Sequence, residues 1–270
     1  TEFSDLIRIA GLAHGTDVWL GNAQTLIKEG KCTISTAICT RDDIMTYLIS
    51  MGMDNAQSFT IMESVRKGKG LKPEWETAMR EHNVPEWYIW SCKKIKYMFP
   101  KAHAAAYVMM AWRIAWFKIF QPLAYYAAFF SIRATSFNYE LMCQGRERLE
   151  YHLEDYKKRK DTLTKKEQDT MRDMRVVQEM YARGFSFVPV DLYKAQAHRF
   201  QILDGRLMPA LDTIEGLGDK AADAVVLAAM DGEFLSKDDF QNRTKVSKTV
   251  IALMDDLKLF GSLPQSNQIS

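Results

Sequence analysis

Between Thr40 and Met51 the apolar residues Ile44, Tyr47, Leu48 and Met51 recur at helical spacing, which predicts a helix starting near Arg41 with one face turned to a core. Thr40 followed three residues later by Asp43 supplies a capping-box signature for its first turn. The helix carrying Met62 and Val65 is interrupted by Gly68 and Gly70, so Arg66 to Leu71 reads as a basic loop, and Pro73 sits where a first-turn proline opens the next helix. Pro85 opens a further helix expected to run through Tyr97. Phe99-Pro100 stops it, because the residue before a proline is pushed out of the α region. Helix resumes from about Ala102 to Phe120, turns at Gln121-Pro122 and continues to about Arg133.

Tyr139 to Arg183 is rich in Lys, Arg, Glu and Asp, with Thr164 and Glu167 as a second capping box, and reads as solvent-facing helices ended by Gly184. The period then changes. Phe200, Ile202, Asp204-Gly205 and Leu207 predict a short β-hairpin with a two-residue turn, near a domain boundary. Short helices return at Gly218 to Met230, Ser236 to Asn242 and Ser247 to Leu257, followed by a polar tail from Pro264. The expected fold is mainly α, with one small β-hairpin near residues 200–208.

The 270 residues, 47% of them hydrophobic, suffice for one large domain or two smaller ones. A net charge of +2 is too mild to mark a nucleic-acid binder, so any DNA-facing charge must be local. Cys32, Cys39, Cys92 and Cys143 are far apart, with no Cys-x-x-Cys pair and no His at zinc-ligand spacing, which argues against a metal cage or a disulfide framework and for reduced thiols in a cytoplasmic protein. Ala104 to Ile132 is the most apolar stretch, but Arg113, Lys118, Gln121 and Pro122 break it where a spanning helix needs about 20 apolar residues. No membrane is expected, and a buried pair of core helices is. Thr1 stands where an initiating Met would, so a fragment of a longer chain is expected.

Three constellations carry chemistry. In Thr213 to Val225, Gly216 and Gly218 bracket Leu217, and a helix with Lys220 in its first turn begins at once, as in a helix-hairpin-helix. Glycines admit a phosphate close to the backbone, and the helix start presents unpaired N–H groups to it, so the contact would be sequence-independent and salt-sensitive. A tight turn between packed helices is the alternative. Arg243, Lys245 and Lys248 lie around a second short loop where a degenerate hairpin could grip the phosphate chain again, or where charges are simply solvated. Second, Ser64 to Gly70 sets Arg66, Lys67 and Lys69 among two glycines, suited to a triphosphate but equally to a basic surface turn. Third, Lys93, Lys94, Lys96, Phe99, Lys101, His103 and Tyr107 gather cations and aromatics around a helix break, with His103 and Tyr107 on one face, as a stacked base and its phosphates require; a packed core His or Tyr is the plainer reading.

The string from Ser91 through Phe99-Pro100-Lys101-Ala102-His103 to Tyr107 resembles the fingers segment of C-family DNA polymerases in its PolC form. So do Gly11 to Trp19, Arg41-Asp42-Asp43-Ile44, Glu63 to Gly70 and Gly232 to Lys237, in family order. This resemblance implies the C-terminal part of a replicative polymerase: a fingers region over 1–187 and a tandem helix-hairpin-helix domain over 188–270 that binds product duplex. It makes Arg41, Arg66, Lys67 and Lys69 candidates for the triphosphate of the incoming dNTP, and Phe99, Lys101, His103 and Tyr107 candidates for its base and sugar. Gly216, Gly218, Lys220, Arg243, Lys245 and Lys248 become candidates for DNA. Guanine-mimicking inhibitors act at this pocket in the family, which implies a drug contact at Phe99. The family's palm, with three metal-binding aspartates, would lie upstream of Thr1. Mg²⁺ is then a cofactor of the intact enzyme only, no catalytic or metal-binding residue is expected in this chain, and the chain alone is expected to be inactive.

The resemblance also implies a sliding clamp as partner, beside primer-template DNA, dNTP and the remaining polymerase domains. Gln268-Ile269-Ser270 looks like the start of a clamp-binding peptide whose last two apolar anchors are missing, so clamp binding is expected to be weak. Two readings compete with the polymerase: a non-enzymatic helix-hairpin-helix module that clamps DNA, and a purely helical interaction scaffold.

Overall fold

The computed structural model describes residues 2–267. Gln268 and Ile269, the expected clamp contacts, lie outside them. The chain is mainly α, and it divides into two compact units, Thr1–Ala115 and Trp116–Ser270.

In the first unit, α1 (Phe3–His14), α2 (Gln24–Lys28), α3 (Arg41–Ser50), α4 (Asn55–Arg66), α5 (Pro73–Glu81) and α6 (Glu86–Lys94) enclose a core that includes Val18, Ile38, Ile44, Leu48, Ile61, Val65, Met79, Tyr88, Ile89 and Met98. The start of α3 is capped as the sequence predicts: the Asp43 carboxylate accepts the N–H groups of Thr40 at 2.8 Å and Cys39 at 3.1 Å. Helix α6 ends at Lys94, three residues short of the expected Tyr97. Ile95 turns extended, and the N–H of Thr16 donates to the Tyr97 carbonyl at 2.8 Å while that of Lys96 donates to the Thr16 carbonyl at 3.1 Å. A tertiary pairing with Thr16, far away in sequence, therefore overrides local helix propensity here.

Helix α7 (Lys101–Phe120) corrects the expectation of a buried core pair. Only Ala104 and Val108 are buried, while Tyr107, Met109, Met110, Trp112, Ile114, Trp116, Phe117, Ile119 and Phe120 are exposed. Its apolar residues run all round the helix, and a single narrow stripe of them meets packing partners. No helix among the described residues is long and apolar enough to cross a membrane.

The second unit holds α8 (Pro122–Ala128), a π-helical turn at Phe129–Arg133, then α9 (Tyr139–Met142), α10 (Arg146–Lys158) and α11 (Lys165–Ala182). The charged stretch is less solvated than its composition suggests. Leu149, Leu153, Met171, Met174, Val177 and Met180 form a core with Tyr126, Phe130, Phe187 and Phe200. Strands β1 (Gln201–Leu203) and β2 (Arg206–Met208) pair antiparallel, Ile202 opposite Leu207. Asp204 and Gly205, with φ of +49° and +72°, make the turn whose twist matches paired strands. Helices α12 (Asp219–Met230), α13 (Lys237–Thr244) and α14 (Lys248–Asp256) then build a further core on Leu217, Val225, Phe234, Phe240, Val246 and Met254.

Gly68 is the tightest backbone contact in the first unit. Its φ is +73°, and a Cβ there would stand 2.3 Å from the Lys96 carbonyl oxygen. Gly70, at φ +70°, faces open space. Gly68→Ala is therefore expected to cost about 1–3 kcal/mol, at least twice the cost of Gly70→Ala, in reversible thermal unfolding; equal costs would mean that the loop does not press on Lys96.

Candidate nucleotide and nucleic-acid sites

The first site grows from the extended stretch after α6. The Phe99 carbonyl accepts the Arg41 N–H at 3.1 Å, which joins this stretch to the start of α3, and the Lys101 N–H at the start of α7 donates to Asp42 Oδ2 at 2.6 Å. With the backbone so held, the Phe99 ring stacks on His103, centroids 4.9 Å apart and planes 9° from parallel. Tyr107, one turn on, meets His103 edge-on at 4.8 Å. His14 from α1 completes the group, 5.7 Å from Phe99 and 6.4 Å from Tyr107. These rings with Ala10 and Ala104 line a cavity of about 130 Å³. That is well below the roughly 300 Å³ of pockets that enclose a small molecule. The cavity can seat the edge of a ring, and the exposed His103 and Tyr107 offer faces for stacking.

Phe99, His103 and Tyr107 thus come together as the spacing suggested, and Lys101 does not join them. Its ammonium lies 4.0 Å from Asp43 Oδ1. His14 was not singled out as a site residue by sequence reasoning; only its place in the Gly11–Trp19 motif marked it.

The cations form a second cluster, tied to the first by Arg41. Glu63, on the last turn of α4, accepts two hydrogen bonds from Arg66 at 2.9 Å each, and it receives Arg41 Nη1 at 3.3 Å and Lys67 Nζ at 3.4 Å. The Arg66 guanidinium, and Lys67 after it, hold the Glu63 carboxyl well down, at about 2. Among the candidates for a triphosphate, Arg41, Arg66 and Lys67 therefore converge on one carboxylate, and Lys69 does not. The Lys69 N–H donates to the Ser64 carbonyl at 2.9 Å and Ser64 Oγ donates to the Gly70 carbonyl at 2.9 Å, which closes the loop. Lys93, Lys94 and Lys96 face a separate open hollow of about 770 Å³, where Lys93 pairs with Glu76 at 2.9 Å and Arg80 with Glu86 at 2.6 Å.

In the second unit, two connections share one backbone plan. Gly216 has φ +82°, Leu217 is buried, and Gly218 is the residue before α12, with φ −69° and ψ 176°. Lys245 has φ +61°, Val246 is buried, and Ser247 precedes α14 with φ −67° and ψ 152°, its hydroxyl accepting the Val250 N–H at 3.3 Å. Gly216, Gly218, Lys220, Lys245 and Lys248 are all exposed. The apolar middle residue anchors each turn to the core and leaves the flanking backbone outside.

Arg243 is committed elsewhere. Its guanidinium donates to the carbonyls of Ala228, Gly232 (3.0 Å) and Glu233 (3.1 Å), pairs with Asp239 at 3.3 Å, and lies 4.6 Å over the Phe234 ring. It ties the last turn of α12 to the carbonyls of the connection that follows it.

Beside the first hairpin, His198 bridges Asp212 at 3.0 Å and Asp223 at 2.8 Å, and these carboxylates, Asp212 first, raise its pKa. His198, Asp212 and Asp219 bring ligand atoms within 4.8 Å of one another, a grouping that sequence spacing hid because residues 198, 212 and 219 come from three separate segments. Glu215 is drawn to Lys166 at 3.0 Å and Asn138 at 3.3 Å.

Comparison with known proteins gives the family context of these two regions. Residues 1–83 match the bacterial DNA polymerase III alpha subunit finger domain, and residues 184–268 match a helix-hairpin-helix motif. Over the whole chain, the sequence is 51% identical to the DNA polymerase III PolC-type of Bacillus subtilis, and 49% identical to those of Caldanaerobacter subterraneus and Clostridium perfringens. The chain spans 19% of the length of each of these relatives, and these matches do not support the expected C-terminal placement within them. From end to end, the chain is similar to a segment of PolC-type DNA polymerase III.

Proposed function

We propose that this chain is the fingers and duplex-binding part of a PolC-type replicative DNA polymerase, 1–187 holding the incoming dNTP and 188–270 holding the product duplex. The observation that carries the reading is the joint of Arg41: its backbone bonds to Phe99 in the aromatic stack, and its guanidinium shares Glu63 with Arg66 and Lys67. A base stacked on His103 and Tyr107 and phosphates drawn to these cations would be held by one continuous element. Such groups position a triphosphate for in-line attack by a primer and offset its charge.

The two exposed hairpins support the duplex half of the reading, since each sets open backbone and a helix start toward a phosphate. Among the described residues Lys220, Lys245 and Lys248 make no ion pair and would serve the phosphates in this reading, while Arg243 serves the fold. Mg²⁺ would belong to carboxylates outside this chain: Asp42, Asp43 and Glu63 beside the nucleotide site are each bonded to backbone N–H groups or cations. This chain alone would then not extend a primer. A sliding clamp and the other polymerase domains would be its partners in the cytoplasm. The competing module that merely clamps DNA would need the hairpins but neither the aromatic stack nor the Glu63 cluster.

Replacing both Lys245 and Lys248 by Ala is expected to weaken binding of the 270-residue chain to primed duplexes equally across sequences. It should flatten the slope of log K against log salt by about 1 to 2, read by fluorescence anisotropy; an unchanged slope removes this loop from the interface. In the intact polymerase, His103→Ala is expected to raise KM for dNTP by about tenfold with little change in that for primed DNA. Steady-state kinetics showing equal effects on the two would take His103 out of the nucleotide site.

A further inference from the structure

Three cations held on one carboxylate are not a neutral arrangement. Arg41, Arg66 and Lys67 outnumber Glu63, and even with Asp42, whose Oδ2 lies 3.9 Å from Arg41 Nε while accepting the Lys101 N–H, one positive charge stays unbalanced on the group. Without Glu63 these side chains would repel and spread, because nothing else among their described contacts gathers all three. The group is also fixed at two points to the backbone stretch that carries Phe99, through the Arg41 N–H on the Phe99 carbonyl and through Gly68, packed on the Lys96 backbone. Glu63 itself leaves α4 one turn before that loop.

We infer that Glu63 is a positioning residue that pre-assembles Arg41, Arg66 and Lys67 into a receptor for a polyphosphate chain, selecting several linked phosphates over a single one. This inference rests on the nucleotide half of the proposed function and names the residue that organises it. A single phosphate can recruit one cation wherever it lies. A triphosphate gains from meeting several at set separations, since less side-chain freedom is lost on binding. Glu63 lowers the net positive charge of the group and nonetheless strengthens binding, because it removes the cost of ordering three long side chains. A counter-ion that only neutralised the loop would act the opposite way, and binding would tighten on its removal.

The test uses inorganic tripolyphosphate and inorganic orthophosphate, titrated calorimetrically into the 270-residue chain at fixed ionic strength. Wild type is expected to prefer tripolyphosphate. Glu63→Gln, which removes the charge, and Glu63→Asp, which keeps it but draws it back by one methylene, are both expected to weaken tripolyphosphate binding by about fivefold or more and to leave orthophosphate binding little changed. Unaltered or tighter tripolyphosphate binding by Glu63→Gln would overturn the positioning role and leave the nucleotide site standing. Glu63→Asp decides the matter if the Gln variant does not fold, and wild-type selectivity in it would equally overturn the inference. Failure of the wild-type chain to bind tripolyphosphate would remove both the role and the nucleotide site.

The same cluster fixes a pH window. Its carboxyl is held at about 2 against an ordinary 4.5, so the stability it contributes is present above 4.5 and lost only as pH falls toward 2. The carbon-13 carboxyl signal of Glu63 is expected to remain that of an ionised group at pH 4, where ordinary glutamates are largely protonated; midpoint titration near 4.5 would show the ion pairs to be absent in solution.

Discussion

The extended stretch from Ile95 to Pro100 is the constraint on which the first unit depends. Three separate segments meet its backbone: Thr16 pairs with Lys96 and Tyr97, Gly68 presses on the Lys96 carbonyl, and Arg41 donates to Phe99. Gly15 is close as well, since a Cβ there would stand 2.9 Å from the Tyr97 carbonyl. Side chains at these positions would hold the segments apart, which is why glycines occupy two of them. The aromatic stack and the cation cluster inherit fixed places from this backbone arrangement, and neither could be set by a flexible loop with comparable accuracy.

The hairpins of the second unit show how little backbone geometry alone decides. The succession of a positive-φ residue, a buried apolar residue and a helix cap occurs at Gly216-Leu217-Gly218 and Lys245-Val246-Ser247, and also at Gly52-Met53-Asp54 and Asn83-Val84-Pro85 in the first unit. It is an economical way to join two helices, because the middle residue packs while the turn stays wet. What separates the four is chemistry at the helix start. Asp54 spends its carboxylate on the Gln57 N–H at 2.9 Å, and Glu86 follows Pro85, so both put negative charge where a phosphate would lie. The Gly218 start has no side-chain cap and carries Asp219, 3.9 Å from His198 Nδ1, followed by Lys220, and the Ser247 start is followed by Lys248. Acidic neighbours are drawn aside near the first hairpin, Glu215 by Lys166, and Asp212 and Asp223 by His198.

Much of this was legible in the residues. Thr40 with Asp43, Pro73, Asp204-Gly205 and the Gly216–Gly218 pair acted through local rules of capping and turn formation, which need only a few neighbours in sequence. His103 and Tyr107 shared a face because helical spacing requires it. The exposure of α7 was not legible: its sequence is apolar on every side, and periodicity cannot say which stripe finds a partner. The charged stretch of α10 and α11 misled in the other direction, because its methionines and leucines occupy the one face that composition averages away.

The sequence by itself determined where helices begin, where the two-residue turn falls and which segments are rich in cations, aromatics and glycine, since these follow from short-range sterics and hydrogen bonding. Tertiary structure decided what those groups do to one another. It ended α6 early by pairing Lys96 and Tyr97 with Thr16, and it drew His14 to the stack. It spent Arg243 on carbonyls at and just after the end of α12, and it placed Glu63 under three cations, because residues distant in the chain become neighbours only when a common core fixes their backbones.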